Sequence, residues 1–219
     1  MDRFVTGAIL VGAAVLFVLL VQHLRRASVQ RITQRTRYLD ACRALLDAPR
    51  MGRGNSGFAR LGGHHQGVEA DIQVLPDTLT FRKLPALWVL VTLPGALPVS
   101  ATINLMIRST GIEPFSRFQS LTHQLERPDD FPNDCAIRTD SRAHMPPEDL
   151  VRAHLHIFDD QKVKELVISP KGVRIVFLAE EMGVTPLASD LLKPKLDQLI
   201  ALRADVLNVE TAEVQGLRA

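Results

Sequence analysis

Aromatic side chains are scarce in this sequence of 219 residues, where they make up 5% of the chain and include one tryptophan and one tyrosine. Proteins that bind single-stranded nucleic acid stack the bases on such side chains. The basic residues are nearly balanced by acids, with a formal net charge of +2. These two features predict that the protein has no nucleic-acid partner.

Cysteine is almost absent. The chain has only Cys42 and Cys135, which are far apart and form no C-x-x-C pair. Isolated cysteines of this kind favour reduced thiols over a disulfide framework, and a single bridge between them is the alternative. The rest of the composition, with 46% hydrophobic and 23% charged residues, indicates a folded protein.

Motifs with a known chemistry are lacking as well. Residues 52–57 match the dinucleotide-binding pattern G-x-G-x-x-G. They follow a predicted helix, however, whereas that motif needs a strand before it. No G-x-S-x-G nucleophile motif occurs. The sequence therefore predicts no catalytic, cofactor-binding or metal-binding residue, and no cofactor.

Four histidines are candidates for a metal or catalytic site. His64 and His65 adjoin in a glycine-rich segment, and His154 and His156 lie on a predicted helix. Helix residues two positions apart point about 200° apart and do not share a ligand. We predict ordinary surface or core histidines. Convergence of His64, His65 or His156 with Asp71 around a cavity would instead indicate an enzyme or a ligand-binding protein.

A long apolar run is the strongest feature that the sequence does contain. Residues 4–21 carry no charge and one polar side chain, Thr6. Their number is close to the roughly 20 apolar residues with which a helix crosses a bilayer. A cleaved signal peptide is the alternative, but it has a shorter apolar core and a small-residue cleavage site. Residues 1–23 are predicted to be a transmembrane anchor.

Positive charge follows this run directly. Arginines near a span stay in the cytoplasm, and only Arg3 precedes the run. We predict a single-pass protein with its N-terminus outside and its C-terminal domain in the cytoplasm; a disulfide would argue for the opposite orientation. The arginines are also the predicted contacts with anionic headgroups of the lipid bilayer. These membrane-surface residues are Arg25, Arg26, Arg31, Arg35 and Arg37.

A basic juxtamembrane helix is predicted over residues 24–48. Its apolar residues recur at steps of three, four and seven, which places them on one helix face. We interpret this helix as lying at the bilayer surface; the alternative is that its apolar stripe pairs with another helix. The glycine-rich residues 49–57 predict a flexible linker. The stripe consists of Ile32, Leu39, Cys42 and Leu46.

Beyond the linker, strands and helices alternate irregularly. Residues 68–74 alternate between apolar and polar, which predicts a half-buried strand after a hairpin turn at 62–67. Residues 166–168 and 173–178 predict two more strands, joined by a tight turn. Helices are predicted at about 148–158 and 186–207. The expected fold class is α+β, with a mainly antiparallel sheet covered by helices on one face. The domain is predicted over 58–207, followed by a tail over 208–219.

Residues 84–98 are almost free of polar side chains. A buried central strand is the main interpretation of this segment. The alternative is contact with a partner or with lipid, because exposed apolar patches mark such contacts. The candidate interaction patch consists of Leu87, Trp88 and Leu90.

Two classes of function follow. The first is a membrane-tethered, non-enzymatic adaptor or assembly factor whose cytoplasmic domain binds a membrane protein or complex. The second is an enzyme or a small-ligand or lipid sensor with a pocket in the α+β domain. The single anchor, the basic juxtamembrane segment and the lack of catalytic motifs favour the adaptor.

Overall fold

The computed structural model describes residues 2–77, 86–143, 145–180 and 185–216. Side chains are described at 15–77, 86–143, 145–179 and 185–209. The first two residues of the apolar segment 84–98 therefore lie outside the described part.

The N-terminal region forms one long helix, α1 (Asp2–Thr36), followed by a 3₁₀ turn (Asp40–Leu45). The helix predicted over 24–48 thus ends earlier, because the chain turns into the core at Tyr38. Leu39 and Cys42 are buried, and a 3₁₀ turn, with three residues per turn, places them on one face. Ile32 of the same predicted stripe stays exposed on α1.

In the described part of the chain, nine strands form a single antiparallel sheet in the order β1-β2-β3-β4-β9-β8-β5-β7-β6. The predicted antiparallel α+β fold is thereby confirmed. The strands are β1 (Asp47–Arg53), β2 (Ala59–His65), β3 (Val68–Asp77), β4 (Ala86–Pro94), β5 (Ile103–Ile107), β6 (His123–Leu125), β7 (Cys135–Thr139), β8 (Val163–Ser169) and β9 (Gly172–Glu180).

Both predicted hairpins are present, but the first turn is shorter than expected. Strands β2 and β3 are joined by Gln66 and Gly67 alone, both with positive φ, as a two-residue hairpin turn requires. The glycines at 62 and 63 belong to β2 rather than to the turn. Strands β8 and β9 are joined through the pair Ser169 and Gly172, as the sequence predicted.

Residues 49–53, predicted to lie in a linker, belong to the edge strand β1. Gly63 of β2, which has no side chain, explains this pairing. A Cβ on Gly63 would lie 2.9 Å from the carbonyl oxygen of Asp47 and 3.0 Å from Cβ of Leu46, so only glycine admits such a close approach. The remaining linker residues form the tight connection from β1 to β2.

The helices of the domain are α2 (Glu148–Ala153) and α3 (Ser189–Gly216). Helix α3 contains Pro194 and continues through most of the predicted tail. Its apolar stripe packs on the sheet, together with the 3₁₀ turns Asp40–Leu45 and Leu155–Asp159. The stripe residues, each at most 1% exposed, are Leu192, Leu196, Leu199, Leu202 and Val206.

Within the described ranges, no helix combines the length and the apolar character that crossing a membrane requires. The predicted span 4–21 belongs to α1. Its side chains up to residue 14 lie outside the described part of the chain.

Both cysteines are free thiols in the core, as predicted. Burial, with a smaller contribution from Asp190, raises the pKa of Cys42 to about 11. Burial also raises the pKa of Cys135 to about 12, assisted by the nearby Asp134. Neither thiol is therefore a nucleophile at neutral pH.

Candidate functional site

The two faces of the sheet differ in what lies on them. One, the covered face, packs its apolar side chains against α2, α3 and the 3₁₀ turns in the main core. The opposite side, the open face, carries the alternate residues of each strand. A smaller apolar cluster lies there beneath the segment 113–121, which we call the cap. The candidate site lies beside this cap.

Aromatic contacts hold the cap on the open face. The ring of Phe115 lies 4.6 Å from that of Trp88, centroid to centroid. The guanidinium of Arg138 lies 5.6 Å from the Phe118 ring and donates hydrogen bonds to the carbonyl oxygens of Gln119 and Leu121, at 3.1 and 3.3 Å. Strand β7 thus fixes the outer end of the cap.

A buried ion pair fixes the inner end of the cap. The ammonium of Lys164 lies 3.4 Å from the carboxylate of Glu113, and their side chains are only 8% and 2% exposed. Thr110 donates to the same carboxylate from its amide and its hydroxyl, at 3.1 and 2.8 Å. Lys164 also donates to the carbonyl oxygen of Arg108. Such a buried pair is well positioned because both partners have further hydrogen bonds.

Glu165 lies at the centre of the site. It is 1% exposed, although it is an acid. Its Oε1 accepts a hydrogen bond from Asn104 Nδ2 at 2.7 Å and another from the hydroxyl of Ser116 in the cap. Among the residues that the structure describes, its Oε2 has no hydrogen-bond partner. Burial raises the pKa of Glu165, against the opposing effects of these hydrogen bonds and of Arg174.

A cleft of about 500 Å³ opens beside Glu165, between the cap and strands β5, β8 and β9. Three polar atoms of its lining residues are buried with no partner in the described ranges: Oε2 of Glu165, Oδ1 of Asn104 and Nε of Arg174. Buried polar groups are almost always paired in folded proteins, so three in one place call for an explanation. The cleft is lined by Thr102, Asn104, Arg117, Ser120, Leu121, Asp140, Glu165, Val167, Ser169, Pro170, Lys171 and Arg174.

The register of the sheet explains why these groups meet. Asn104 of β5 pairs with Val167 of β8, which pairs with Arg174 of β9. Glu165 lies two residues before Val167 and therefore on the same face. Side chains of Asn104, Glu165 and Arg174 thus come from three adjacent strands, and the cap supplies Arg117.

A second groove of about 490 Å³ lies over β1 to β4 on the same face. Its charges are paired with one another. The guanidinium of Arg60 lies 2.6 Å from the carboxylate of Asp71, and that of Arg50 lies 3.5 Å from the carboxylate of Glu69. Since these groups already have partners, this groove is a weaker candidate for a ligand site.

The histidines do not converge on a cavity. His65 points into the covered face, where its ring contacts Asp197 and the carbonyl oxygen of Leu45, each at 2.8 Å. His64 is exposed, and Asp71 pairs with Arg60 on the open face. His156 is exposed next to α2. Among the residues that the structure describes, no group of three or more metal-ligating side chains lies together.

The candidate interaction patch lies on β4, in the middle of the sheet. Leu87 and Trp88 are buried, with Leu87 on the covered face and Trp88 under the cap. Leu90 is half-buried on the open face. Contact of this patch with a partner stays a prediction.

The predicted membrane-surface arginines, Arg25, Arg26, Arg31, Arg35 and Arg37, are all exposed on or just after α1. Large apolar side chains on the same helix are exposed too. Those before the arginines are Val15, Leu16, Phe17, Val18, Leu19, Leu20 and Leu24, each 51–71% exposed.

Sequence reasoning missed Glu165, Asn104 and Arg174. A signal was present, because Arg174 is a charged residue within one strand of the predicted hairpin and Glu165 directly precedes the other. The cap was missed because its phenylalanines at 115 and 118 have helical spacing. They lie instead in a loop with a 3₁₀ turn (Phe118–Ser120).

No protein-family model and no curated protein sequence matches this chain. Among solved structures, it has a distant similarity to the crystal structure of the mycobacterial trehalose monomycolate transport factor A, TtfA. The two chains are 9% identical, the alignment covers 78% of this chain and 90% of the other, and the TM-score is 0.35. With so low a TM-score, the similarity supports no statement about function or partners.

Proposed function

We propose that this protein is a membrane-tethered, non-enzymatic adaptor or assembly factor. Residues 4–21 cross the bilayer, the N-terminus lies outside, and the C-terminal domain in the cytoplasm binds a membrane protein or complex. The observation that carries the proposal is α1, a long helix with exposed apolar side chains at one end and the folded domain at the other.

The apolar end of α1 needs a nonpolar environment. Leu16, Phe17 and Leu19 are 57–71% exposed, and burying such a side chain is worth about 1.5–3 kcal/mol each. Together with the uncharged residues before them, they form a run whose length suits a bilayer. Lipid is therefore the proposed surrounding of residues 4–21.

The basic end of α1 suits the headgroup region. Arg25 and Arg26, which follow the apolar run directly, are exposed where anionic headgroups would lie, at about 1 kcal/mol for each residue near the surface. Thr36 ends the helix, and residues 24–36 would hold the domain about 20 Å from the bilayer core.

The helix is joined firmly to the domain. The guanidinium of Arg35 lies 5.3 Å from the ring of Phe58, and the Tyr38 ring packs edge-on against the same ring at 5.8 Å. The amide of Leu187 donates to the carbonyl oxygen of Tyr38 at 2.9 Å. Such contacts favour a domain that is held in a fixed orientation relative to α1 over one that is attached by a flexible linker.

The open face is the proposed docking surface for the membrane-protein partner. Leu75, Leu90 and Leu178 are half-buried there around the buried Trp88. Interfaces combine such an apolar centre with a polar rim, which the two neighbouring grooves would supply. Leu90 is the most direct residue with which to test this surface.

Anchoring is tested with two arginines in the middle of the apolar run, Val11→Arg together with Val15→Arg. Each arginine near the centre of a span costs about 2.5–3.5 kcal/mol on insertion. We expect the wild-type chain to stay in the membrane pellet after alkaline carbonate washing and the double variant to move to the supernatant.

The matched control is Val29→Arg together with Ile32→Arg, which adds the same two charges on the same helix beyond the run, at residues that are 63% and 44% exposed. It should remain in the pellet. Release of the wild-type chain by carbonate would refute the anchor.

Docking is tested by purifying the tagged full-length chain in mild detergent, with mass spectrometry of what accompanies it. We expect a stoichiometric membrane protein with the wild type and a loss of about tenfold or more with Leu90→Arg, the equivalent of about 1.4 kcal/mol or more. The control Leu191→Arg alters a leucine that is 37% exposed on α3, and should retain the partner. A wild-type chain that purifies alone would contradict the adaptor.

The second candidate, a small-ligand or lipid sensor, is favoured by one observation. The cleft beside Glu165 contains three buried polar atoms without partners. A ligand that supplied those partners would account for them.

A further inference from the structure

We propose that the cleft beside Glu165 binds a small zwitterion, in which a primary ammonium is joined by a short spacer to a carboxylate or phosphate group. This inference goes beyond the adaptor function, which does not depend on it. The sign and the position of the groups that line the cleft support this ligand.

The inner end of the cleft offers acceptors. Glu165 Oε2 and Asn104 Oδ1 are both buried, and neither has a hydrogen-bond donor within the described part of the chain. The other atoms of these two groups are already used, since Asn104 Nδ2 donates to Glu165 Oε1 at 2.7 Å. An ammonium group carries three donors and a positive charge. It can therefore donate to both acceptors and also neutralise the charge of the Glu165 carboxylate.

The outer end of the cleft offers cations. Arg117 and Lys171 are exposed, and Arg174 is half-buried with its Nε unpartnered. Asp140 is the one acid there among the described lining residues, and its carboxylate accepts a hydrogen bond from the amide of Thr102 at 2.8 Å. An anionic oxygen group is the natural ligand for this end, because guanidinium groups bind carboxylates and phosphates through paired donors.

The distance between the two ends limits the spacer. Glu165 and Arg174 are diagonal neighbours on β8 and β9, since Glu165 pairs with Val176. Diagonal positions across a sheet are about 7–8 Å apart. This backbone spacing, which the long side chain of Arg174 shortens, implies a short spacer of two or three atoms between the ammonium and the anion, and the cleft of about 500 Å³ has room for such a ligand.

Protonation of Glu165 provides an independent readout. The charged groups around it are Arg174 on β9, Glu113 in the cap and Lys164, which pairs with Glu113. Burial raises the pKa of Glu165, so the carboxyl keeps its proton to a higher pH than usual when no ligand is bound. An ammonium ligand favours the ionised form. Binding should therefore tighten as the pH rises and release a proton.

The experiment is isothermal titration of the full-length protein in nanodiscs of phosphatidylcholine. The probes are O-phosphoethanolamine and β-alanine, which carry both charges, and ethanolamine and inorganic phosphate, which carry one each. We expect saturable binding of at least one zwitterion, with each single-charge probe weaker by about tenfold or more. Nanodiscs with equal parts of phosphatidylethanolamine distinguish the sources: weaker binding of free O-phosphoethanolamine there indicates that the lipid headgroup competes, and unchanged binding indicates a soluble ligand.

Two variants test the assignment of the two ends. Glu165→Gln should weaken zwitterion binding about tenfold and abolish its pH dependence, and Arg174→Gln should weaken it about tenfold while keeping the pH dependence. Glu69→Gln is the matched control, since it removes an acid from the other groove on the same face and should change affinity less than about twofold. Thermal unfolding confirms that each variant is folded.

The proposal is overturned if neither zwitterion binds the wild-type protein saturably. It is also overturned if Glu165→Gln binds as well as Glu69→Gln, or if ethanolamine or phosphate alone binds as tightly as the zwitterions. Failure of this experiment leaves the adaptor proposal intact, because that proposal is tested by carbonate extraction and by the purification of a partner.

Discussion

The two faces of this sheet show two different uses of the same strands. On the covered face, apolar side chains of the sheet and one apolar stripe of α3 form a single buried cluster. On the open face, a small apolar cluster under the cap adjoins two polar grooves. The first face has the largely uniform, apolar composition of a core that stabilises a fold, and the polar side chains buried beside it, His65, His154 and Lys195, each contact an aspartate.

The open face departs from that uniformity at considerable cost. Glu165, Asn104, Glu113 and Lys164 are polar or charged, and each is at most 8% exposed. A core of leucine and valine would avoid the desolvation of these groups. Charged residues that are held in place by several hydrogen bonds and still leave polar atoms unpartnered are typical of sites that bind something.

The largest expected effect is a loss of stability when the core on the covered face is altered. Leu199→Ala on α3 removes a side chain that is 0% exposed and leaves a cavity in the main core. We expect a loss of about 3 kcal/mol in the free energy of unfolding, within the range of about 2–5 kcal/mol for buried leucines. Chemical denaturation of the full-length protein measures it.

Leu191→Ala on the same helix is the control, because that leucine is 37% exposed. Its loss should stay below about 1 kcal/mol. Equal losses for the two leucines would mean that α3 does not rest on the covered face as described.

Much of the covered face could be predicted from the sequence. Alternation over residues 68–74 and the paired apolar runs on either side of the turn at Pro170 each predict a strand, because one buried face forces a period of two. The stripe of α3 follows from steps of three and four residues. These signals are local, and tertiary packing only reinforces them.

Other elements depend on contacts that local patterns do not contain. Strand β1 lies in a glycine-rich segment and forms because Gly63 of the neighbouring strand admits it. Leu39 and Cys42 have a spacing that fits an α-helix and a 3₁₀ turn equally well. Only the burial of Tyr38 against Phe58 decides between them.

The candidate cleft could not be derived from sequence for a similar reason. Asn104 and Arg174 are 70 positions apart in the sequence, and with Glu165 they meet only through the pairing of β5, β8 and β9. A single acid within an apolar strand is usually an outward-facing residue. Here, the cap covers that outward side, and it does so through the ion pair of Glu113 with Lys164.

The smallest expected effect is a pH-dependent change in stability on the open face, produced by Glu165→Gln. The pKa of Glu165 is raised by burial, so the folded state holds this proton at pH values where the unfolded chain has lost it. The contribution of Glu165 to stability is therefore most favourable below the unfolded pKa. It falls as the pH rises through the window between the unfolded and folded pKa values, and stays low above that window.

The amide that replaces the carboxyl in the variant does not titrate. We expect the variant to gain stability relative to the wild type across this window, by about 1 kcal/mol, which is about 2–4 °C in Tm for a domain of this size. Thermal unfolding at pH 5 and pH 8 measures the difference, and Glu69→Gln, at an exposed carboxylate, should show none. Parallel stability profiles for the wild type and Glu165→Gln would mean that the open face holds no acid in a costly position, and the contrast between the two faces would then be one of packing alone.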